Sequence, residues 1–142
     1  MKNKIIFICT GNSCRSQIAE GLFRNEAGEK FKVYSAGSHP SRLHPAAIKV
    51  MAEWGIDIQK QKSEKIDKYL NKGINVVITV CDNAKSTCPN FPDGNIIIHW
   101  SIKDPFHGWN DNEEDLKPYR MARNEIKDKI KDLLQRDEMK NL

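Results

Sequence analysis

The chain has 142 residues, 39% hydrophobic and 30% charged, a composition typical of one soluble globular domain over 1–142 and unlike that of disordered or fibrous proteins. No apolar run reaches the roughly 18 residues of a membrane span, and the apolar segment after Lys4 is too short for a secretion signal, so we expect a cytoplasmic protein. The net charge is +4. Residues 1–50 carry eight Lys and Arg against three Glu, which predicts that the N-terminal third attracts anions.

The first half of the chain has the pattern of a strand, a loop, a helix and a second strand. Residues 4–8 form a largely apolar run, rich in β-branched isoleucine, that is soon followed by Gly11, which predicts a buried strand entering a tight turn. Residues 15–27 carry apolar side chains at helical spacing, and residues 31–37 alternate and end at a glycine. A second helix is predicted to begin at Pro45, because proline suits the first turn of a helix.

The second half continues this alternation. A short helix is predicted within 63–71, and the very apolar run 74–80 predicts a central parallel strand. Residues 95–99 predict a fourth strand, and a terminal helix is predicted from Leu116, with Asp115 as its N-cap. Strands that alternate with helices predict a doubly wound α/β fold, with a four-stranded parallel sheet and helices on both faces.

Three chemically reactive residues follow three of these strands. Cys9 comes after the first strand, Cys81 after the third and Asp104 after the fourth. Ligands of such sheets bind beyond the carboxyl ends of the strands, so we expect these residues to meet at one edge.

The segment 9–16, here called the anion loop, carries the strongest functional signal. Cys9 and Arg15 enclose five residues at a strand-to-helix turn, where backbone N–H groups and a helix N-terminus form a cradle for a tetrahedral oxyanion. Arg15 adds a bidentate fork, the positive field is expected to lower the pKa of Cys9, and Ser16 is a candidate hydrogen-bond donor to its thiolate. The predicted anion-binding residues are Thr10, Gly11, Asn12, Ser13, Cys14, Arg15 and Ser16. The alternative, a core cysteine beside a surface arginine, is disfavoured because the glycine, the arginine and the context coincide.

Other polar residues have weaker signals. Asp104 with Pro105 is a common turn dipeptide, but above an anion loop its carboxylic acid gains the character of a general acid. Cys14 is predicted to be a packing residue, and His39 and His44 are predicted to face solvent. His99 and His107 lie near Cys81 and Cys88 without matching a common zinc pattern, so no metal site is assigned.

Several segments together resemble the thioredoxin-coupled arsenate reductases, which share the phosphotyrosine phosphatase I-like fold of the low-molecular-weight tyrosine phosphatases. The segments are Ile8 to Gln17, Tyr34 to Gly37, Gly55 to Ile58, Cys81 with Cys88 and Pro89, His99 with Trp100, and Asp104 with Pro105. Cys81 and Cys88, in what we expect to be an exposed polar loop, distinguish the reductases from the phosphatases.

The resemblance implies a reaction. Cys9 attacks arsenate, Asp104 protonates the leaving oxygen, Cys81 attacks Cys9 and releases arsenite, and Cys88 attacks Cys81 to leave a disulfide that thioredoxin reduces. Phosphate and sulfate are expected to compete for the loop, with weak phosphatase side activity. A monomer is the default expectation, and we expect no tightly bound cofactor.

Some members of the family bind potassium beside the anion loop. The matching positions here are Asn12, Glu20, Ser35 and Glu64, where the last is longer than the aspartate of those members.

Two other functions compete with the reductase interpretation. A low-molecular-weight tyrosine phosphatase would use Cys9, Arg15 and Asp104 alike, but Gln17 replaces its usual proline and its paired tyrosines are missing. An oxyanion- or nucleic-acid-binding protein is suggested by the pI of 8.9. The alternating charges of residues 127–132 argue instead for a solvated helix face, so we expect neither nucleic-acid nor membrane partners.

Overall fold

The computed structural model describes residues 2–142 and contains a four-stranded parallel sheet in the order β2-β1-β3-β4. The strands are β1 Asn3–Cys9, β2 Phe31–Gly37, β3 Val76–Thr79 and β4 Ile96–His99. The helices are α1 Arg15–Ala27, α2 Pro45–Ala52, α3 Asp82–Thr87, α4 Lys117–Gln135 and α5 Asp137–Lys140. Two 3₁₀ turns cover Ile66–Tyr69 and Glu113–Asp115.

The two central strands are buried on both faces. Every residue from Ile5 to Ile8 in β1 is 0% exposed, and the four residues of β3 are also buried. Successive side chains of a strand point to opposite faces, so unbroken burial means that both faces of the sheet are covered. The predicted fold class, a parallel sheet with helices on both faces, is confirmed.

The long helix α4 buries the face that its sequence predicts. The apolar residues at helical spacing predict that one face holds Leu116, Tyr119, Ala122, Ile126, Ile130 and Leu133. All six are buried, the last five of them within the helix. Its start differs from the prediction: Asp115 lies in a 3₁₀ turn, and Leu116, which has no capping side chain, precedes the helix. The turn uses backbone hydrogen bonds from Asp115 to Asn112 and from Leu116 to Glu113 in place of a side-chain cap.

Three short segments also differ from their predictions. The helix expected within 63–71 is a single 3₁₀ turn, Ile66–Tyr69. The polar segment after Cys81 is the helix α3 rather than a loop, with Cys81 as its N-cap, because the Cys81 sulfur accepts a hydrogen bond from the Ala84 N–H at 3.3 Å. The helix α5 follows α4 without having been predicted.

The topology brings the reactive segments to one edge of the sheet. In the parallel register Ile8 pairs with Thr79, and Thr79 pairs with His99, so β1, β3 and β4 end side by side. No helix within residues 2–142 is long and apolar enough to cross a bilayer.

Candidate active site

Cys9 ends β1 and lies beneath the anion loop, only 3% exposed. Its sulfur accepts a hydrogen bond from the Asn12 N–H at 3.1 Å and lies 2.9 Å from the Ser16 hydroxyl oxygen. That oxygen already accepts a hydrogen bond from Asn12 Nδ2 at 2.7 Å, which leaves the hydroxyl proton of Ser16 free to point at the sulfur. The expected Ser16 contact with Cys9 is therefore present in the structure.

Asn12 sets the shape of the loop. Its φ is 47°, in the left-handed region where asparagine is tolerated better than most residues. Its side chain is fully engaged: Nδ2 also donates to Ser35 Oγ at 2.9 Å, and Oδ1 accepts from the Glu64 N–H at 2.8 Å. These contacts turn the Asn12 N–H towards the sulfur of Cys9.

The pKa of Cys9 is governed by burial as well as by these donors. Burial raises the pKa of the thiol above its ordinary value, while the Ser16 hydrogen bonds and the charge of Arg15 lower it in part. The expected lowering of the pKa is thus wrong for this geometry. The sequence pattern reveals the donors, but not the depth at which the sulfur lies.

Arg15 and Asp104 approach each other above the anion loop. Arg15 Nη1 donates to the Ile102 carbonyl at 2.9 Å, and Arg15 Nη2 lies 3.6 Å from Asp104 Oδ2. The side chain of Arg15 is 15% exposed and that of Asp104 is 58% exposed. Arg15 is thereby held in place, whereas the carboxyl group remains open to a ligand.

A cavity of about 270 Å³ joins these groups. Its lining residues are Cys9, Thr10, Gly11, Ser13, Cys14, Arg15, Ser41, Asp104, Phe106 and Trp109. Two residues predicted to bind the anion, Asn12 and Ser16, are absent from this lining and are 0% exposed, so they act on Cys9 from within the protein. Sequence reasoning missed Ser41, Phe106 and Trp109. The aromatic character of the loop after Asp104 offered a signal for Phe106 and Trp109, and no pattern pointed to Ser41.

Cys81 lies beside the anion loop. Its sulfur is 3.6 Å from Thr10 Oγ1, which also accepts a hydrogen bond from Asn83 Nδ2 at 2.8 Å. Cys81 was expected to be exposed but is only 3% exposed, because its sulfur caps α3 instead of facing solvent.

Cys88, at the other end of α3, is half-buried, and burial raises its pKa. Cys14 is buried as predicted.

His44 departs most from its prediction. His39 is exposed as expected, but His44 is 0% exposed. Its Nδ1 accepts from the Ala46 N–H at 2.9 Å, and its Nε2 lies 2.7 Å from the Gly108 carbonyl oxygen. The partners that bury it come from a loop more than 60 residues away, so no local pattern reveals them.

Gln17 has a structural role that its sequence position did not indicate. It is fully buried, and its Nε2 donates to the carbonyl oxygens of Asn12 at 2.9 Å and Lys62 at 3.0 Å. Gln17 therefore ties the anion loop to the segment that follows α2.

The four positions matched to a potassium site form a hydrogen-bonded chain. Ser35 Oγ donates to Glu20 Oε1 at 2.5 Å, and the other oxygen of Glu20 lies 2.6 Å from Arg24 Nη2. The Glu64 carboxylate pairs with Lys68 at 3.1 Å. Arg24 and Lys68 thus each form an ion pair with one of these two carboxylates. Within residues 2–142 no group of three His, Cys, Asp or Glu side chains is placed to hold a metal. A potassium ion here stays a prediction.

The chain is similar to known proteins over almost its whole length. Residues 4–141 match the family described as low molecular weight phosphotyrosine protein phosphatase. An arsenate reductase of Halalkalibacterium halodurans is 42% identical over 130 residues, covering 92% of this chain and 94% of that protein. A structure of an arsenate reductase in the phosphate binding state is 34% identical with a TM-score of 0.75, covering 94% of this chain and 97% of that chain. A thioredoxin-dependent arsenate reductase of Corynebacterium glutamicum is 26% identical with a TM-score of 0.73, covering 94% of this chain and 61% of that chain. The chain belongs to the low molecular weight phosphotyrosine protein phosphatase family.

Proposed function

We propose that this protein is an arsenate reductase in which Cys9 is the nucleophile and Cys81 and Cys88 form a disulfide relay. The observation that carries the proposal is the second thiol beside the anion loop: Thr10, a residue of that loop, contacts the Cys81 sulfur at 3.6 Å. A phosphatase requires one nucleophile and has no use for a second thiol at this place. The similarity to proteins named arsenate reductase supports the same assignment.

The first step joins sulfur to arsenic. The Cys9 thiolate attacks the arsenic of bound arsenate while Arg15 and the backbone N–H groups hold the other oxygens. One As–O bond breaks, and its hydroxyl group leaves as water after accepting a proton from Asp104. Arsenic is still pentavalent at this point and is bound to Cys9.

The second step transfers two electrons. The Cys81 thiolate attacks the Cys9 sulfur, a disulfide forms, and the electron pair of the S–As bond remains on arsenic, which departs as arsenite. Cys88 then attacks the Cys81 sulfur and frees Cys9. An external dithiol reduces the Cys81–Cys88 disulfide, and we propose thioredoxin for this role because a related reductase is named thioredoxin-dependent.

This scheme has consequences for ligands and compartment. Phosphate and sulfate have the shape to enter the cavity but cannot accept electrons through the relay, so we propose them as competing anions, with phosphate esters hydrolysed weakly. Electrons arrive through thiols alone, so no tightly bound cofactor takes part. Free thiols require a reducing compartment, for which we propose the cytoplasm.

The test compares arsenite production by variants of α3 and its flanking cysteines, supplied with thioredoxin, thioredoxin reductase and NADPH. Cys81→Ser should release no arsenite, because the thiol that attacks Cys9 in the relay is missing. Cys88→Ser should release about one arsenite per enzyme and then stop, with Cys9 joined to Cys81 in peptide maps. Ser86→Ala, which alters an exposed side chain on the same helix, is the matched control and should turn over normally.

Two outcomes would contradict the proposal. Undiminished multiple turnover by Cys88→Ser would exclude the three-thiol relay. Wild-type protein that hydrolyses aryl phosphates rapidly while producing no arsenite would instead be a phosphatase.

A further inference from the structure

We infer that His44 is a positioning residue that holds the acid loop, residues 101–112, over the anion loop, so that Asp104 faces the bound oxyanion. The inference rests on the proposed function, in which Asp104 is the general acid. It concerns a buried imidazole to which the reaction scheme assigns no role.

His44 joins three segments of the chain. Its backbone N–H donates to the Ser13 carbonyl of the anion loop at 3.1 Å. Its Nδ1 accepts from the Ala46 N–H and so caps α2. Because Nδ1 is an acceptor, the proton of the neutral ring lies on Nε2, which donates to the Gly108 carbonyl of the acid loop at 2.7 Å. Burial lowers the pKa of His44, which favours this neutral form.

Aromatic side chains strengthen the link to the acid loop. The Trp109 ring stacks on the imidazole, with centroids 4.9 Å apart and an interplanar angle of 16°. Phe106 meets the imidazole edge to face at 5.7 Å. The guanidinium of Arg42 lies 4.2 Å from the centroid of Trp109. Two side chains of the acid loop are thus packed on one buried ring.

The acid loop is also fastened on the other side of Asp104. Arg15 Nη1 donates to the Ile102 carbonyl at 2.9 Å, while His44 binds the loop at Gly108. Between these anchors the carboxyl group of Asp104 accepts a hydrogen bond from the Phe106 N–H at 3.0 Å and lies 3.6 Å from Arg15, its two polar contacts within residues 2–142, and it is largely exposed. With so few contacts of its own, Asp104 depends on the two anchors for its position. A shift of about 1 Å in a reacting group can cost about 100-fold in rate.

His44→Asn separates the positioning of the acid loop from the capping of α2. Asparagine is a favoured N-cap and can still accept from Ala46, but it is too short to reach Gly108 and has no ring to stack on Trp109. With enzyme in excess over arsenate, we expect the rate constant of the first arsenite release to fall at least about 10-fold. The dissociation constant of phosphate, measured by protection of Cys9 from iodoacetamide, should change less than about twofold, because the anion loop itself is unaltered.

A double variant distinguishes positioning from general destabilisation. If His44 acts through Asp104, His44→Asn should have little further effect once Asp104→Asn has removed the acid. If the fold-losses in rate of the two single variants multiply in the double variant, the inference is overturned. A normal rate for His44→Asn beside a slow Asp104→Asn would overturn it as well, while leaving the acid role intact. A normal rate for Asp104→Asn would refute the acid role in the proposed function, and the positioning role with it.

A second probe leaves the buried histidine in place, in case His44→Asn does not fold. Trp109→Leu removes the ring that stacks on His44 and should also slow the single turnover, with a loss that does not multiply with that of Asp104→Asn. Trp54→Leu is the matched control, because Trp54 is as exposed as Trp109, at 37%, and lies away from the cavity. Equal single-turnover rates for the two tryptophan variants would count against the inference.

Discussion

Burial and hydrogen bonding act on the Cys9 sulfur in opposite directions. The thiol lies beneath the anion loop, where loss of water raises its pKa, and the Ser16 hydroxyl is the largest of the contributions that lower it. Nucleophilicity therefore depends on a few donors that offset the cost of desolvation. Ser16 therefore matters for the reactivity of Cys9, although it does not line the cavity.

Replacing Ser16 with alanine should raise the pKa of Cys9 further. Without the hydroxyl donor the Cys9 thiolate loses a hydrogen bond, so a smaller fraction of Cys9 is ionised at any given pH. The pH profile of Cys9 alkylation by iodoacetamide should shift to higher pH, with slower alkylation at pH 8. Ser86→Ala, distant from the sulfur, should leave the profile unchanged, and an unshifted profile in Ser16→Ala would show that the hydroxyl does not stabilise the thiolate.

Individual residues also show what sequence can and cannot predict. Cys9, Cys81 and Asp104 were predicted to meet because each follows a strand of one parallel sheet. The structure brings Cys9 and Asp104 around one cavity and places the Cys81 sulfur 3.6 Å from Thr10 of the anion loop. His44 was predicted to face solvent as a loop residue. Its burial depends on Trp109 and Tyr119, and contacts at such separations leave no local signature.

Among the secondary-structure elements, β2 supports the anion loop through its last residue. A Cβ atom at Gly37 would lie 2.4 Å from the Thr10 carbonyl oxygen and 3.0 Å from the Asn12 nitrogen. Both are backbone atoms of the anion loop, so the loop itself would have to move. Glycine is needed here for close approach and not for an unusual φ.

Gly37→Ala should consequently weaken phosphate binding by about 10-fold or more, because displaced N–H groups no longer converge on the anion. Gly21→Ala provides the steric control: its Cβ would meet the Ile58 side chain at 2.7 Å, which affects packing away from the loop. We expect the control to lower the melting temperature while retaining phosphate affinity. Unchanged affinity in Gly37→Ala, measured by calorimetry, would contradict this account of the loop.

The helices differ in how well sequence predicts them. The amphipathic period of α4 is long and regular, so its buried face was predicted correctly. The six residues of α3 include only one buried side chain, Ala84, which is too little for a periodic signal. Its polar composition was therefore interpreted as a loop, although a sulfur cap at Cys81 allows a short helix to form.

Across the whole molecule, an ionic cluster joins the end of α2 to α4. Glu53 Oε1 lies 2.6 Å from Arg123 Nη1, and Glu53 Oε2 lies 2.6 Å from Arg120 Nη2. Hydrogen bonds from Arg120, followed by those from Arg123, lower the pKa of Glu53 from 4.5 to about 2. A carboxyl group with a lowered folded-state pKa stabilises the fold above its ordinary pKa, and this stabilisation is lost as the pH falls towards about 2.

Glu53→Gln should accordingly lower the melting temperature at pH 7 by about 3 °C, because the buried Arg123 loses its partner. The difference from wild type should shrink between pH 4.5 and about 2, where the wild-type carboxylate is itself protonated. Glu113→Gln, which removes an exposed partner of Arg120 alone, should change little at any pH. A constant difference from pH 7 to pH 2 would mean that packing, and not charge, explains the effect.

In the proposed relay, the helix α3 also couples the oxidation state of the protein to its shape. Cys81 and Cys88 are seven residues apart at the two ends of this helix, and seven helical steps span about 10 Å. A disulfide tolerates a Cα separation of at most about 7 Å, so the proposed Cys81–Cys88 bond cannot form while α3 is intact. Helices this short have little stability of their own, and the cost of unwinding is correspondingly small. The proposed relay therefore requires the oxidised protein to present a rearranged segment at its surface, a feature by which a reductant can tell spent molecules from those ready for another turnover.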